Sequence, residues 1–249
     1  MSDSDAAEMR RSATEARFEP THWSLILPPG DRGELAAQEA LEQLCRIYWP
    51  PLYAFLRKQG RSPDDAKDLT QGFFVHILSN DRLHNVHPAK GKFRNWLLAC
   101  IKNYVHNEWD KEQRRGGGKV HVPIVLSNPE ETVHCEPSDQ NDPVRAFERQ
   151  WASTLLSQVL DRLKQQCAAD GRSEIFETLR PFLTDEAERG DYAPAAEKLK
   201  MNNGAVRAAA TRLRQDYRKL LRVEVGRTVT STAEINEEIQ YLFSLFARP

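Results

Sequence analysis

Apolar residues recur at helical spacing along most of the chain, and no run alternates as a β-strand would. The first helical pattern covers residues 33–59 and is interrupted by Pro50 and Pro51, which predict a kink or a division into two helices. Ser62 as N-cap and Pro63 at the first helical position begin a second helix. A loop from residue 80 to about residue 92 then leads into a third helix that ends at residue 115.

The second half of the chain begins with a segment, residues 116–143, that is rich in Gly, Pro, Asn and acidic side chains and predicts a linker. Helical patterns then cover residues 144–169, 174–183, 193–199, 204–223 and 233–246. We therefore expect an all-α fold of two small helical domains, a flexible linker and a C-terminal amphipathic helix. The predicted boundaries are 1–20 for a mobile N-terminal segment, 21–115 for the first domain, 116–143 for the linker, 144–225 for the second domain and 226–249 for the C-terminal extension.

The last helical pattern places five apolar residues on one face, Ile235, Ile239, Leu242, Phe243 and Phe246. We expect this face to pack on the preceding domain. An alternative is that the helix holds a DNA-binding helix inactive.

Net charge, cysteine pattern and the lack of long apolar runs limit which partners and which cellular compartment are expected. The formal net charge of −1 and the pI near 6.7 exclude a uniformly basic coat, so a nucleic-acid surface would have to be a local patch. The four cysteines have no CxxC pairing, which is typical of reduced thiols. With no apolar signal core and no run of about 20 apolar residues, the expected location is the cytoplasm and no membrane partner is expected.

The pattern in residues 192–222 predicts a helix-turn-helix. A short helix, a turn at Lys200–Asn202 and a second helix with an apolar stripe follow one another, and Asn202 suits the N-cap. Between Lys198 and Arg222 the basic residues are opposed by Asp216 alone. The polar side chains off the stripe could contact the major groove and phosphates, whereas the plainer alternative is an ordinary solvated basic helix. They are Asn203, Arg207, Thr211, Arg212, Arg214 and Arg218.

The helix over residues 91–115 combines a core face with a basic, amide-rich face. Its aromatic residues lie mostly on the apolar side, with Trp109 toward the edge. Amides and arginines beside an aromatic ring suit single-stranded bases, which need stacking surfaces and edge contacts.

These motifs in this order resemble a bacterial RNA polymerase sigma factor of the extracytoplasmic-function (ECF) group. The resemblance is carried by "DDAKDLTQGFFVHIL", by "GKFRNWLLACIKNYVHNEWDKEQRR" and by the C-terminal helix-turn-helix. The segments "THWSLIL", "YWPPLYAFLR", "AKGKFRNWLL" and "RPFL" are more narrowly similar to a subgroup common in planctomycete-like bacteria.

The resemblance implies a role for each matching position. Residues expected to dock on the clamp of the largest subunit of core RNA polymerase are Asp65, Asp68, Leu69, Gln71 and Phe74. Residues expected to hold the melted −10 element, with its flipped base in the loop 83–92, are Asn85, His87, Lys90, Lys92, Arg94, Asn103, Asn107, Arg114 and Arg115. Residues expected to contact the −35 element are Asn203, Arg207, Ala208, Thr211, Arg212 and Arg214. The second domain of such a factor would also bind the flap of the second-largest subunit.

The chain departs from the family pattern at three positions. Lys67 and Gly72 stand where relatives usually carry acids, and Lys200 stands in the turn where relatives usually have Gly. Phosphorylation of Thr70 by a Ser/Thr kinase would add about −1.5 to −2 charge beside the two missing acids and restore docking. The plainer interpretation, which we favour, is that Thr70 is an ordinary helix residue. An anti-sigma factor is a further candidate regulator.

Other classes of function find less support in the sequence. The pairs His84/His87 and His134/Cys135 lack a second pair at zinc-ligand spacing, so no metal or other cofactor is expected. No nucleophile and base are grouped, so the protein is not expected to be an enzyme. The main alternative is a helix-turn-helix regulator that binds duplex DNA without polymerase, and a third is a protein-binding adaptor.

Overall fold

The protein is described by a computed structural model that covers residues 34–79, 91–115, 142–183, 192–229 and 231–247, with side chains described in these ranges except at 34–41 and 112–115. These described ranges contain eight α-helices and no β-strand. They are α1 (Glu34–Lys58), α2 (Pro63–Ser79), α3 (Phe93–Arg115), α4 (Pro143–Ala169), α5 (Ser173–Leu179), α6 (Ala193–Leu199), α7 (Asn203–Gly226) and α8 (Ile235–Ser244). Short 3-10 helices, Arg180–Leu183 and Thr232–Glu234, follow α5 and precede α8. The all-α prediction is confirmed, while the predicted linker lies almost wholly outside the described residues.

Helix α1 continues through Pro50 and Pro51, so of the two predicted outcomes, a kink or a division into two helices, the division does not occur. Each proline removes a backbone donor from the helix and costs on the order of 3 kcal/mol. Both prolines are buried, as are the neighbouring Trp49 and Leu52, which are 2% and 0% exposed. Packing of this fully enclosed turn outweighs the lost hydrogen bonds and keeps the helix continuous.

The apolar side chains form two cores that share α4 and α7. The first core unites α1, α2 and α3 with Trp151 and its neighbours on α4, with the end of α7, with Leu242 on α8 and with Leu245 just after α8. The second core surrounds Leu163 and Cys167, near the C-terminal end of α4, with side chains of α5, α6 and α7. Helices α4 and α7 therefore both contribute to both hydrophobic clusters.

An ionic cluster also connects α4 with α7. Glu224 on α7 is buried and receives hydrogen bonds from Arg162 on α4 and from Arg227 just after α7. Burial raises the pKa of the Glu224 carboxyl, and the charge of Arg162 opposes that rise. Loss of either arginine would leave a buried carboxylate with one partner fewer, which is the costly way to break such a cluster.

Helix α8 buries a different face from the one expected. Leu242 and Leu245 are buried and Ile235 and Ile239 are half-buried, but Phe243 and Phe246 are 49% and 45% exposed. The inward face also contains Glu238, which is 1% exposed. The buried face of α8 therefore includes a carboxylate and excludes both phenylalanines of the predicted apolar face.

Candidate nucleic-acid interface

The turn between α6 and α7 contains the one non-glycine residue with positive φ in the described ranges, Lys200 at φ 53°. Its backbone N–H donates to the carbonyls of Ala196 and Glu197, which ends α6. The side-chain oxygen of Asn202 then accepts from the backbone N–H of Ala205 at 2.8 Å and begins α7. The predicted N-cap is confirmed, and the left-handed backbone explains why Gly would suit position 200.

Helix α7 separates its apolar and polar faces cleanly. Val206, Ala210 and Leu213 are 0–1% exposed and pack in the second core. The opposite face is exposed and contains five of the six residues expected to contact the −35 element, Asn203, Arg207, Ala208, Thr211 and Arg212. The Thr211 hydroxyl donates to the Arg207 carbonyl at 2.9 Å, so two guanidinium groups and one amide are the strongest donors of this recognition face.

Arg214 does not belong to the recognition face, which corrects the prediction. It is 9% exposed, its Nε donates to the Phe182 carbonyl at 2.9 Å, and its Nη2 donates to the Tyr192 hydroxyl at 2.7 Å. These bonds fix α7 to the 3-10 helix after α5 and to the start of α6. The spacing already contained this signal, because position 214 follows Val206 by eight residues and so falls on the inward side.

Helix α2 carries the residues expected to dock on polymerase. Asp65, Asp68, Leu69 and Gln71 are all partly exposed. Asp65 also helps to cap the helix, because its backbone N–H donates to the Ser62 hydroxyl at 3.1 Å and that hydroxyl donates to the Asp65 carboxylate at 2.7 Å.

Phe74 and Thr70 both face the protein interior, which corrects the prediction for Phe74 and counts against the phosphorylation alternative for Thr70. Phe74 is 1% exposed within the first core and so contributes to folding rather than to a docking surface. Thr70 is 0% exposed and its hydroxyl donates to the Ala66 carbonyl at 2.7 Å. A kinase cannot reach this hydroxyl in the folded chain, and a doubly charged phosphate would be buried. The plainer interpretation of Thr70 as a helix residue is therefore retained.

The glycine at position 72 has a structural explanation. A Cβ placed there would lie 2.5 Å from the Tyr104 hydroxyl oxygen and 3.6 Å from the Cζ atom of the same ring. The Tyr104 ring packs between Phe73 and His76, with centroid separations of 5.6 and 5.3 Å. Burial, with a smaller contribution from Glu108, raises the pKa of Tyr104 to about 12. An acidic side chain at this position would bring its Cβ into collision with the Tyr104 hydroxyl.

The exposed side chains of α3, which make up its outer face, include amides, cations and one aromatic ring. Asn103, Asn107 and Lys102 are exposed, and Trp109 is 49% exposed. A pocket of about 190 Å³ beside this face is lined by His76, Tyr104, Asn107, Glu108, Asp110 and Lys111. Arg114 and Arg115 lie in the last turn of α3, although their side chains lie outside the described residues, as do Asn85, His87 and Lys90 altogether.

Lys92 and Arg94 are directed away from that outer face, toward α8. Both side chains donate to the Glu238 carboxylate. Arg94 is 4% exposed, and its guanidinium lies 4.2 Å from the centroid of Trp151 and 5.3 Å from that of Tyr241. Arg94 therefore cannot contact DNA in this conformation, contrary to the prediction. Sequence reasoning missed Glu238, although its spacing from Ile235 and Leu242 places it on the inward face of α8.

Comparison with known families bears on the region that contains α2 and α3. Residues 44–115 match the family model for Sigma-70 region 2. The match supports a sigma-70 family RNA polymerase sigma factor and a role in promoter recognition, and it includes both the candidate docking helix and the outer face of α3. Searches of curated proteins and of solved structures found no match to the chain.

The described residues also bear on metal binding and on membrane crossing. No group of three or more His, Cys, Asp or Glu side chains there could hold a metal ion. No helix in the same ranges is both long and apolar enough to cross a membrane.

Proposed function

We propose that this protein is an alternative-type sigma factor of the ECF group, resembling the planctomycete-type subgroup. It binds core RNA polymerase, contacts the −35 element with α7 and the −10 element with α3 and the preceding loop, and helps to melt the promoter. The observation that carries the proposal is the match of residues 44–115 to Sigma-70 region 2.

The recognition face of α7 supports contact with duplex DNA. Arg207 and Arg212 are exposed on the face opposite the second core, and the Asn202 cap orients the beginning of the helix. Arginine pairs bidentately with guanine in the major groove, and each such pair contributes about 1–3 kcal/mol of discrimination. The ordinary basic helix considered above would not need its arginines concentrated on one exposed face.

The outer face of α3 supports contact with melted DNA. Trp109 offers an exposed stacking surface, and Asn103 and Asn107 offer amide donors and acceptors on the same helix. Base stacking on an aromatic ring contributes about 1–3 kcal/mol per base. A duplex-binding regulator would have no use for this face or for the partly exposed acids of α2.

The test is multi-round transcription by purified bacterial core polymerase on a pool of promoter fragments, with and without the protein. Discrete new start sites are expected. Arg212→Ala should lower use of the best promoter by the equivalent of about 1–3 kcal/mol and relax the preference at one −35 base pair. Arg145→Ala, an exposed arginine on α4, is the matched control and should change neither.

Three results together would contradict the sigma-factor proposal. If no start sites appear, the protein does not bind core, and it binds a duplex operator stably by itself, the sigma-factor proposal is wrong and the regulator without polymerase replaces it.

A further inference from the structure

The contact between α8 and the beginning of α3 joins a carboxylate to two cations of the candidate −10 surface. Glu238 is 1% exposed and accepts from both Lys92 and Arg94. The partners are far apart along the chain, separated by 146 and 144 positions. A carboxylate with this pair of donors offers the same charge and the same acceptor type as a DNA phosphate.

Arg94 is incompletely satisfied where it lies. Its Nε–H is buried and has no hydrogen-bond partner among the described residues. Two aromatic rings, of Trp151 and Tyr241, cover the guanidinium, and the second ring belongs to α8 itself. Departure of α8 would therefore remove both the carboxylate and one of the two rings, while Trp151 would still hold the guanidinium in place.

Helix α8 is an element that can separate from the fold. It has ten residues, and isolated helices of that length are marginal in water, so its order depends on its contacts. Those contacts include Leu242 and Leu245 with the partly buried Ile235, Ile239 and Tyr241 in the first core, the Glu238 ion pairs, and hydrogen bonds from Arg149 to the Leu245 carbonyl and from Arg222 to the Asn236 side chain.

We infer that α8 is an autoinhibitory latch, in which Glu238 occupies Lys92 and Arg94 as a phosphate mimic and must leave before these cations bind DNA. The inference rests on the proposed function for the choice of DNA as the competing ligand. It assigns Glu238 as the residue that sets the DNA affinity of the free chain. It also explains why two cations expected to contact the −10 element are turned toward another helix.

The test is binding of a short, fluorescein-labelled, random-sequence single-stranded DNA to the free full-length chain, by anisotropy over a series of salt concentrations. Glu238→Gln keeps the shape of the side chain and removes its charge. Its matched control is Glu237→Gln, which removes the same charge from the neighbouring, exposed position of the same helix. For single strands, log K falls with log salt by about 0.7 per neutralised phosphate.

Release of two cations should therefore steepen this slope by about 1.4 in Glu238→Gln and tighten binding about tenfold or more at low salt. Adding Lys92→Gln to Glu238→Gln should recover about 0.7 of the slope. The Glu237→Gln control should match the wild-type slope. A merely structural role for Glu238 would alter stability without steepening the slope.

Equal slopes and affinities for Glu238→Gln and Glu237→Gln would overturn the latch, and so would absence of DNA binding by every variant. If Glu238→Gln does not fold, a chain that ends at Ser231 provides the second variant, and it should show the same steeper slope. Failure of the latch is distinguishable from failure of the sigma-factor proposal, because transcription with core polymerase tests the latter without reference to the free chain.

Discussion

The contact between Gly72 and Tyr104 allows a quantitative prediction about packing between α2 and α3. In Gly72→Ala the new Cβ would lie 2.5 Å from the Tyr104 hydroxyl oxygen. The ring contacts Phe73 and His76, so moving it away from the new Cβ would disturb both contacts. Overpacking of this kind costs about 1–3 kcal/mol, whereas replacing a helical Gly by Ala contributes about 0.8–1 kcal/mol of stability. Gly72→Ala should therefore lower the free energy of unfolding by up to about 2 kcal/mol.

Gly72→Ala should stabilise the protein, rather than destabilise it, when the Tyr104 hydroxyl is removed. In the Tyr104→Phe background the nearest atom to the new Cβ is the ring Cζ at 3.6 Å, an ordinary van der Waals distance. The collision disappears and only the gain in helix propensity remains, so Gly72→Ala should raise stability there by about 0.8–1 kcal/mol. The coupling energy between the two positions is then about 1–3 kcal/mol.

The assay is urea denaturation of the wild type, the two single variants and the double variant, monitored by circular dichroism. The comparison requires that the slope m of unfolding free energy against urea concentration be the same in all four proteins. Gly204→Ala provides a control on the other side of the molecule, because its nearest neighbour, the Asn202 side-chain oxygen, does not involve Tyr104. Its effect should be the same in both backgrounds. If the effect of Gly72→Ala also agrees within about 0.3 kcal/mol between backgrounds, the steric argument is refuted.

Three further predictions concern the turn before α7 and the ionisation of Tyr104. Lys200→Gly should raise the free energy of unfolding by about 0.5–1 kcal/mol by relieving the positive φ, whereas Lys200→Ala, which keeps a Cβ, should give no gain in the same urea titration. Asn202→Ala should cost about 1 kcal/mol through loss of the cap to Ala205, and Asn202→Asp should recover most of it. Because the pKa of Tyr104 is about 12 in the folded protein and about 10 when unfolded, the unfolded chain loses this proton first, and stability should fall between those pH values. Tyr104→Phe should make that fall shallower in alkaline thermal unfolding, and an unchanged pH dependence would contradict the assignment.

Helix positions were predictable from the sequence because their signals are local. Ser62 and Asn202 both cap the helices expected from their positions, and their bonds join residues three apart. The exposed face of α7 followed from the same local periodicity. These features depend on backbone geometry over one or two turns and need no knowledge of the tertiary fold.

The features that were missed depend on tertiary packing. Arg94 and Arg214 were assigned to DNA from the family resemblance, and Arg214 also from its place off the apolar stripe, but each is held inside by partners on other elements. Helical spacing could indicate that Arg214 and Glu238 face inward, but it could not pair Glu238 with Arg94, which is 144 positions away. The fit of Gly72 against Tyr104 joins two helices, so it too depends on tertiary packing. Continuity of α1 through Pro50 likewise depends on the core that surrounds it.

Helix α4 contacts both helices that carry candidate DNA surfaces, α3 and α7, and so limits how these surfaces can move relative to each other. Its Trp151 supports Arg94 at the beginning of α3, and its Arg162 binds Glu224 near the end of α7. Movement of α7 away from α3 would repack one of the two cores or break the buried carboxylate cluster, and both are costly. Detachment of α8 would expose Leu242, Leu245 and the partly buried Ile235, Ile239 and Tyr241, and it would break the buried Glu238 pairs, but it would leave the contacts between α4 and α7 in place. Opening at α8 is therefore the rearrangement that frees Arg94 from Glu238 without repacking α4 against α7.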